Sequence, residues 1–226
     1  MTGRSQRGFT VLELLIAMGI VAMMMFIAWS VTAQIAGDKK MVARVADRNR
    51  ELRVSMARMV RDLSMAYLSQ NEATDALEPR TAFIGKGRRD ALLRFSSFAH
   101  QVLWANAHES EQTMISYFLA PDPRDRNQTN LLRRESRRLS DEGWDQVPHD
   151  VDLLVRDVEE VEFEYWDWRE NEWRREWDTT AADGQRGRLP TRVRIKITVK
   201  GRDGKPVVYT TQARLMMQER LQFFAN

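Results

Sequence analysis

The chain has 226 residues, 43% of them hydrophobic and 30% charged, with a formal net charge of +3 at pH 7. That length can bury a core, and so small a charge bias gives no electrostatic case for a nucleic-acid binder despite the basic pI. With no cysteine, disulfide frameworks, thiol nucleophiles and cysteine-ligated metals are excluded.

The N-terminal region opens MTGRSQRGFTVLELLIAMGIVAMMMFIAWSVTAQIAG, and Glu13 is the one charge between Phe9 and Gly37. An acid in hydrocarbon costs a few kcal/mol, so it calls for a partner or a task. From Leu14 to Ala36 the chain carries no charge, enough helix to cross a hydrocarbon layer of about 30 Å. A secretory signal has an apolar region of only about 7–15 residues. Val31-Thr32-Ala33 resembles a cleavage site, but the apolar run before it is too long and begins around an acid. A retained membrane helix fits better. Arg4 and Arg7 precede the span, and Lys39, Lys40, Arg44, Arg48, Arg50 and Arg53 follow it. A positive-inside count would therefore put the C-terminal side in the cytoplasm.

The stretch Arg7-Gly8-Phe9-Thr10-Val11-Leu12-Glu13 resembles the type IV prepilin signature of pilins and pseudopilins. The resemblance implies cleavage by a prepilin peptidase between Gly8 and Phe9, N-methylation of Phe9, and an assembly role for Glu13, the fifth residue after the cut. It implies a single-pass protein of the bacterial inner membrane, with a cytoplasmic N-terminus and a periplasmic head, against the charge count. Loss of residues 1–8 removes Arg4 and Arg7 and lowers the net charge by two.

Beyond Gly37 the pattern turns amphipathic. Met41, Val45, Leu52, Met56, Met59, Val60, Leu63 and Tyr67 recur at steps of three and four, or multiples of them, among charged residues. One helix is expected from about Phe9 to Tyr67, with its stripe packed on the chain's own head. The expected divisions are a leader at 1–8, a membrane and assembly helix at 9–36, its amphipathic continuation at 37–70, and a β-rich head at 71–226. Strands are expected at Leu92–Phe98 and Met114–Leu119. Others follow from the alternation of Val161, Phe163 and Tyr165 with Glu160, Glu162 and Glu164, and of Val193, Ile195, Ile197 and Val199 with Arg194, Lys196 and Thr198. Pro206–Met217 closes a hairpin after Asp203-Gly204. The fold class is α+β and type IV pilin-like.

Leu153-Leu154-Val155-Arg156-Asp157-Val158, the Phe163/Tyr165 strand, Trp173 and Trp177, and Leu189-Pro190-Thr191-Arg192-Val193-Arg194-Ile195 are similar to the J-type minor pseudopilin of type II secretion. Leu131-Leu132-Arg133-Arg134 matches a further element of that family. The resemblance implies a structural subunit at the tip of a periplasmic pseudopilus that exports folded proteins across the outer membrane. The partners it implies are the I-, K- and H-type minor pseudopilins, the major pseudopilin, the inner-membrane assembly platform and membrane lipid. A minor pilin of a type IV pilus or DNA-uptake system is the alternative, and a periplasmic ligand-binding protein on an ordinary anchor is the rival from another class.

No catalytic constellation, cofactor motif or metal site stands out. His100, His108 and His149 are scattered and read as surface or loop residues. Glu159, Glu160, Glu162, Glu164 and Asp167 read mainly as a solvated strand face rather than paired catalytic carboxylates. Asp122, Asp125 and Asn127 lack calcium-loop spacing and read as a turn. Trp166, Trp168, Trp173 and Trp177 crowd one hairpin; most are expected in the core, with Trp166 and Trp168 on the acidic face and partly exposed. Arg133, Arg134, Arg137 and Arg138 make a basic patch that Glu135 interrupts, and no nucleic acid is expected as a partner.

Overall fold

The computed structural model describes residues 10–70, 81–101, 110–136, 150–201 and 203–222. The chain divides into two compact units, Met1–Arg50 and Glu51–Asn226. Helix α1 runs Val11–Ser64 and so belongs to both.

In the first unit the helix carries one stretch apolar enough to cross a membrane, Val11–Val31, with a mean hydropathy of 2.5. Its large side chains, from Val11 through Phe26 and Trp29, are exposed. Ser30, near the C-terminal end of the span, returns its hydroxyl to the Ile27 carbonyl at 2.8 Å, which satisfies that hydroxyl within the helix. Val42 and Val45 are exposed as well, so the expected stripe is not buried at Val45. The buried stripe begins at Leu52.

The second unit joins the end of α1 to ten strands among the described residues. These are β1 (Phe83–Gly85), β2 (Leu93–Ser97), β3 (Thr113–Pro121), β4 (Thr129–Ser136), β5 (Asp150–Val155), β6 (Val158–Asp167), β7 (Glu172–Arg174), β8 (Trp177–Asp178), β9 (Arg192–Lys200) and β10 (Pro206–Arg214). A six-stranded sheet runs β5-β4-β3-β2-β1-β8 and a four-stranded sheet runs β10-β9-β6-β7. The pairings are antiparallel. Short connections make this the economical arrangement.

Alternation drives the second sheet. Val161, Phe163 and Tyr165 of β6, and Val193, Ile195, Ile197 and Val199 of β9, are all buried, while their polar neighbours point the other way. The β9–β10 hairpin pairs Lys200 with Pro206 through to Arg192 with Arg214. Its turn uses Gly204 at φ +77°, a conformation costly for a residue with a Cβ. Across the core, Phe83 of the first sheet meets Tyr165 of the second at a ring separation of 5.8 Å and Tyr117 meets Phe163 at 6.0 Å, with Phe95 packed between Phe83 and Tyr117. Leu52, Met59 and Leu63 of α1 join the same cluster, with Met56 and Val60 partly buried against it. Gly85 is required by a close approach: a Cβ there would lie 1.9 Å from the Tyr165 hydroxyl.

The helix stops at Ser64, three residues before the expected end, because Ala66 and Tyr67 leave helical pairing for the second strand. Ala66 bridges Ser97, and the Tyr67 N–H donates to the Ser96 carbonyl at 3.1 Å. Tyr67 is nonetheless buried, stacked on Phe98 at 4.1 Å.

Candidate assembly site

Glu13 lies in the first turn of α1, where a negative side chain complements the helix dipole. Thr10 caps that turn: its hydroxyl accepts from the Glu13 N–H at 3.3 Å, and its carbonyl accepts from the Leu14 N–H at 3.2 Å. Thr10-Val11-Leu12-Glu13 thus has capping-box spacing with the hydroxyl half of the box formed. The S/T-x-x-E signature was in the sequence, hidden behind the prepilin reading. Gly8 and Phe9, the expected processing residues, lie outside the described residues.

In the head, several candidate residues turn out to hold the fold together. Arg133 is no part of a surface patch. It is buried at 1% exposure and donates through Nε to Asp62 of α1 at 2.7 Å and through Nη1 to Glu135 at 2.5 Å. Tyr117 donates to the same Asp62 carboxylate at 2.8 Å. Burial favours the neutral form of Arg133, but Asp62 and Glu135 outweigh it and hold the guanidinium charged. Burial and the Asp62 charge push the Tyr117 hydroxyl well above its ordinary range. Arg134 lies over the Phe118 ring at 4.8 Å, and Arg137 and Arg138 lie outside the described residues.

His100 lies in the loop after β2, as expected, but is not a surface residue. Its side chain is 8% exposed and meets Glu135 at 2.6 Å. Burial pushes the Glu135 carboxyl up, yet Arg133 and His100 hold it below the usual range. His108 and His149 lie outside the described residues.

The acidic row divides. Glu159, Glu160 and Glu162 are exposed, as expected. Glu164 is held by Lys196 at 2.8 Å and Arg194 at 2.7 Å, and these bonds lower its pKa. Asp167 belongs with the inward residues and is fully buried. It bonds Arg188 through both oxygens and faces Arg174 at 3.1 Å. Burial raises its pKa, and Arg188 with the Arg169 N–H brings it below the ordinary value. Asp122 and Asp125 spend their oxygens on turn N–H groups, and Asp122 also takes the Asn130 amide at 2.8 Å. Among the described residues no group of three or more His, Cys, Asp or Glu could hold a metal ion.

Of the tryptophans, Trp177 is fully buried and donates to the Arg188 carbonyl at 2.8 Å. Trp166 and Trp173 are half-buried edge to face at 5.3 Å, and Trp168 is exposed. Of the family-motif residues, Leu131, Leu154, Val155, Trp177, Leu189, Val193 and Ile195 lie in the buried cluster, whereas Leu153 is exposed and Leu132 and Trp173 are half-buried, so packing accounts for part of these motifs.

A capped apolar helix leading into a two-sheet head defines a single-pass, membrane-anchored protein of α+β, type IV pilin-like fold. The family model described as "Prokaryotic N-terminal methylation motif" matches residues 3–29. The model described as "Type II secretion system (T2SS), protein J" matches residues 30–210, well over half of the chain. The protein belongs to that family: it is a minor pseudopilin of the type II secretion system, with other pseudopilus components as partners. A comparison with curated proteins finds no match.

Proposed function

We propose that the protein is a structural, non-enzymatic subunit of the pseudopilus tip, helping to initiate assembly and so export folded proteins across the outer membrane. The family match together with the methylation motif carries this reading. The N-terminus is cytoplasmic and the head periplasmic. Prepilin peptidase cuts between Gly8 and Phe9, and Phe9 is then N-methylated. The proposed divisions are the leader 1–8, the assembly helix 9–36, its continuation 37–70 and the head 71–226.

The cut creates a basic α-amine on Phe9. A neighbouring subunit, shifted along the assembly axis, sets that amine against a Glu13 carboxylate. At 4 Å and an effective dielectric of about 20 the attraction is about 4 kcal/mol. Much of it offsets desolvation, and the better-attested use of such pairs is to fix register. The head partners are the I- and K-type subunits, with the H-type below, followed by the major pseudopilin, the assembly platform and lipid.

Co-expression of the soluble part, lacking roughly residues 1–36, with I- and K-type heads tests the tip placement. A stable complex is expected, and failure to co-purify at any salt concentration overturns the placement. In the full-length protein, Glu13→Val is expected to be cleaved and inserted normally but to enter the complex poorly. Glu13→Gln, which keeps a capping side chain without the charge, is expected to behave like Glu13→Val. Wild-type crosslinking and secretion by Glu13→Gln would reduce Glu13 to a helix cap.

A further inference from the structure

Strand β6 is covered unequally on its two sides. Along one edge β9 pairs with it from Val158 to Trp166, whereas along the other β7 reaches only Tyr165, Trp166 and Asp167. The chain then leaves the four-stranded sheet through Arg175 and Glu176, and Trp177 and Asp178 pair with β1 in the other sheet. Among the described residues no strand pairs with the outer edge of Val158–Glu164. A cleft of about 230 Å³ opens beside it, lined by β6 itself and by Lys86, Gly87, Arg175 and Glu176. Tyr165 lines the same cleft, and its buried hydroxyl has no hydrogen-bond partner among the described residues. An unpaired strand edge is a template for an incoming chain.

The charges along this edge say which chain fits. Glu160, Glu162 and Glu164 share one face of β6, and on the covered side β9 answers them with Thr198, Lys196 and Arg194 in direct register. Glu164 is saturated by two cations. Glu162 has Lys196 only at 3.7 Å, and Glu160 has no ion pair among the described residues. Farther from β7, the carboxylates are progressively less neutralised. Glu176 adds a further acid at the rim, where Lys86 is held by Asp178 at 2.7 Å and Arg175 has no ion pair among the described residues. Strand β9 shows the kind of complement such a row accepts: Arg194 and Lys196 outward against Glu164 and Glu162, with Thr198 leaving Glu160 without a cation, and branched apolar residues between them facing the core.

We propose that the free edge of β6, Val158–Glu164, is a docking site for an extended segment of another protein. That segment carries lysine or arginine at every second position with branched apolar residues between, and it adds as a further strand. Its cations meet Glu160 and Glu162, and its apolar residues enter the cleft. Like copies of this chain present the same carboxylates and repel one another there, so the edge selects a basic partner and discourages self-pairing.

The probe is a synthetic peptide copying Arg192–Lys200, the strand that already pairs with β6 on its other side. A control peptide carries glutamate in place of Arg194 and Lys196. Amide hydrogen exchange is followed on the full-length protein in detergent. The expected result is slowed exchange across Val158–Glu164 with the basic peptide and not with the control, while exchange in β9 stays unchanged. Glu160→Lys with Glu162→Lys is expected to weaken the peptide roughly tenfold. The milder Glu162→Gln is expected to weaken it less, and near-ultraviolet circular dichroism checks that both variants fold. Equal protection by both peptides would show that the carboxylates do not select the partner, and protection by neither that they only guard the edge; in either case the proposal falls. It falls equally if protection depends on protein concentration without peptide, because a second copy then occupies the edge.

Discussion

Asp62→Asn removes the charge that ties helix α1 to the six-stranded sheet. Asp62 is 2% exposed and accepts from Arg133 at 2.7 Å and from Tyr117 at 2.8 Å. Breaking a buried ion pair from one side costs about 3–5 kcal/mol. Arg133 retains Glu135 at 2.5 Å, and the new amide oxygen still accepts one hydrogen bond. The loss therefore belongs near the lower end, about 3 kcal/mol. For a domain of this size each kcal/mol moves the melting midpoint by about 2–4 °C, giving a fall of about 6–12 °C. The assay is thermal unfolding of the purified full-length protein in detergent, followed by near-ultraviolet circular dichroism, which reports on buried Trp177. Asp62→Leu, Arg133→Met and the variant carrying both form a double-mutant cycle, and the cost of the double variant is expected to fall short of the two single costs combined by at least about 1 kcal/mol. A midpoint within about 2 °C of the native protein for Asp62→Asn, or strict additivity in the cycle, would refute the view that this pair holds the helix to the sheet.

Gly8→Leu is expected to leave a longer, uncleaved protein in the inner membrane, seen as a slower band on gels and an unmodified N-terminus; normal processing would remove the leader assignment. Gly85→Ala is expected to cost about 1–3 kcal/mol by overpacking against Tyr165, measured by urea unfolding. Tyr165→Phe deletes a hydroxyl without a partner among the described residues and is expected to change stability by less than about 0.5 kcal/mol, so a loss above about 1.5 kcal/mol would reveal a hidden partner. Glu135, Asp167 and Asp178 all have lowered carboxyl pKa values in the fold. Their contribution is complete above the ordinary carboxylate range and is lost as pH falls through the lowered values. The urea midpoint is therefore expected to hold from neutral pH to about 5 and drop below about 4, with a shallower drop in Asp167→Asn; a midpoint that does not fall in acid would contradict this.

The elements came through the sequence where one physical signal dominated. Strands β6 and β9 alternate so cleanly that their buried faces could be named residue by residue, and the Asp203-Gly204 turn fixed the last hairpin. The helix end was misplaced because Tyr67 continues the apolar spacing, yet its backbone is taken by Ser96, a competitor with no trace in local periodicity. Asp167 was grouped with the outward acids although its odd number places it on the inward face with Phe163 and Tyr165. Alternation was the stronger rule, and Arg188, twenty-one residues on, makes its burial tolerable. Asp62, Arg133 and His100 show the harder limit. Each reads as a surface residue by type, and only the pairing of α1 with β4, across seventy-one positions, turns charge into a reason for burial.

Glu13 carries two readings, and their energies separate them. In the helix cap the Thr10 hydroxyl takes the Glu13 N–H, a bond worth on the order of 1 kcal/mol that a residue other than glutamate at this position supplies equally. The dipole adds about 0.3–1 kcal/mol at an exposed helix start. An acid within a membrane helix costs about 2.5–3.5 kcal/mol at the centre, and less near the end where Glu13 lies. The local gains and that cost are thus of the same size, so capping makes the acid bearable without requiring it to be an acid. A requirement for charge must come from a cation outside this chain's own first turn. The amine that cleavage at Gly8 would expose on an adjacent subunit is such a cation, and it exists only after processing. On that reading the cap holds the carboxylate at the helix start, and the neighbour's amine uses it, so an unprocessed neighbour cannot complete the pair.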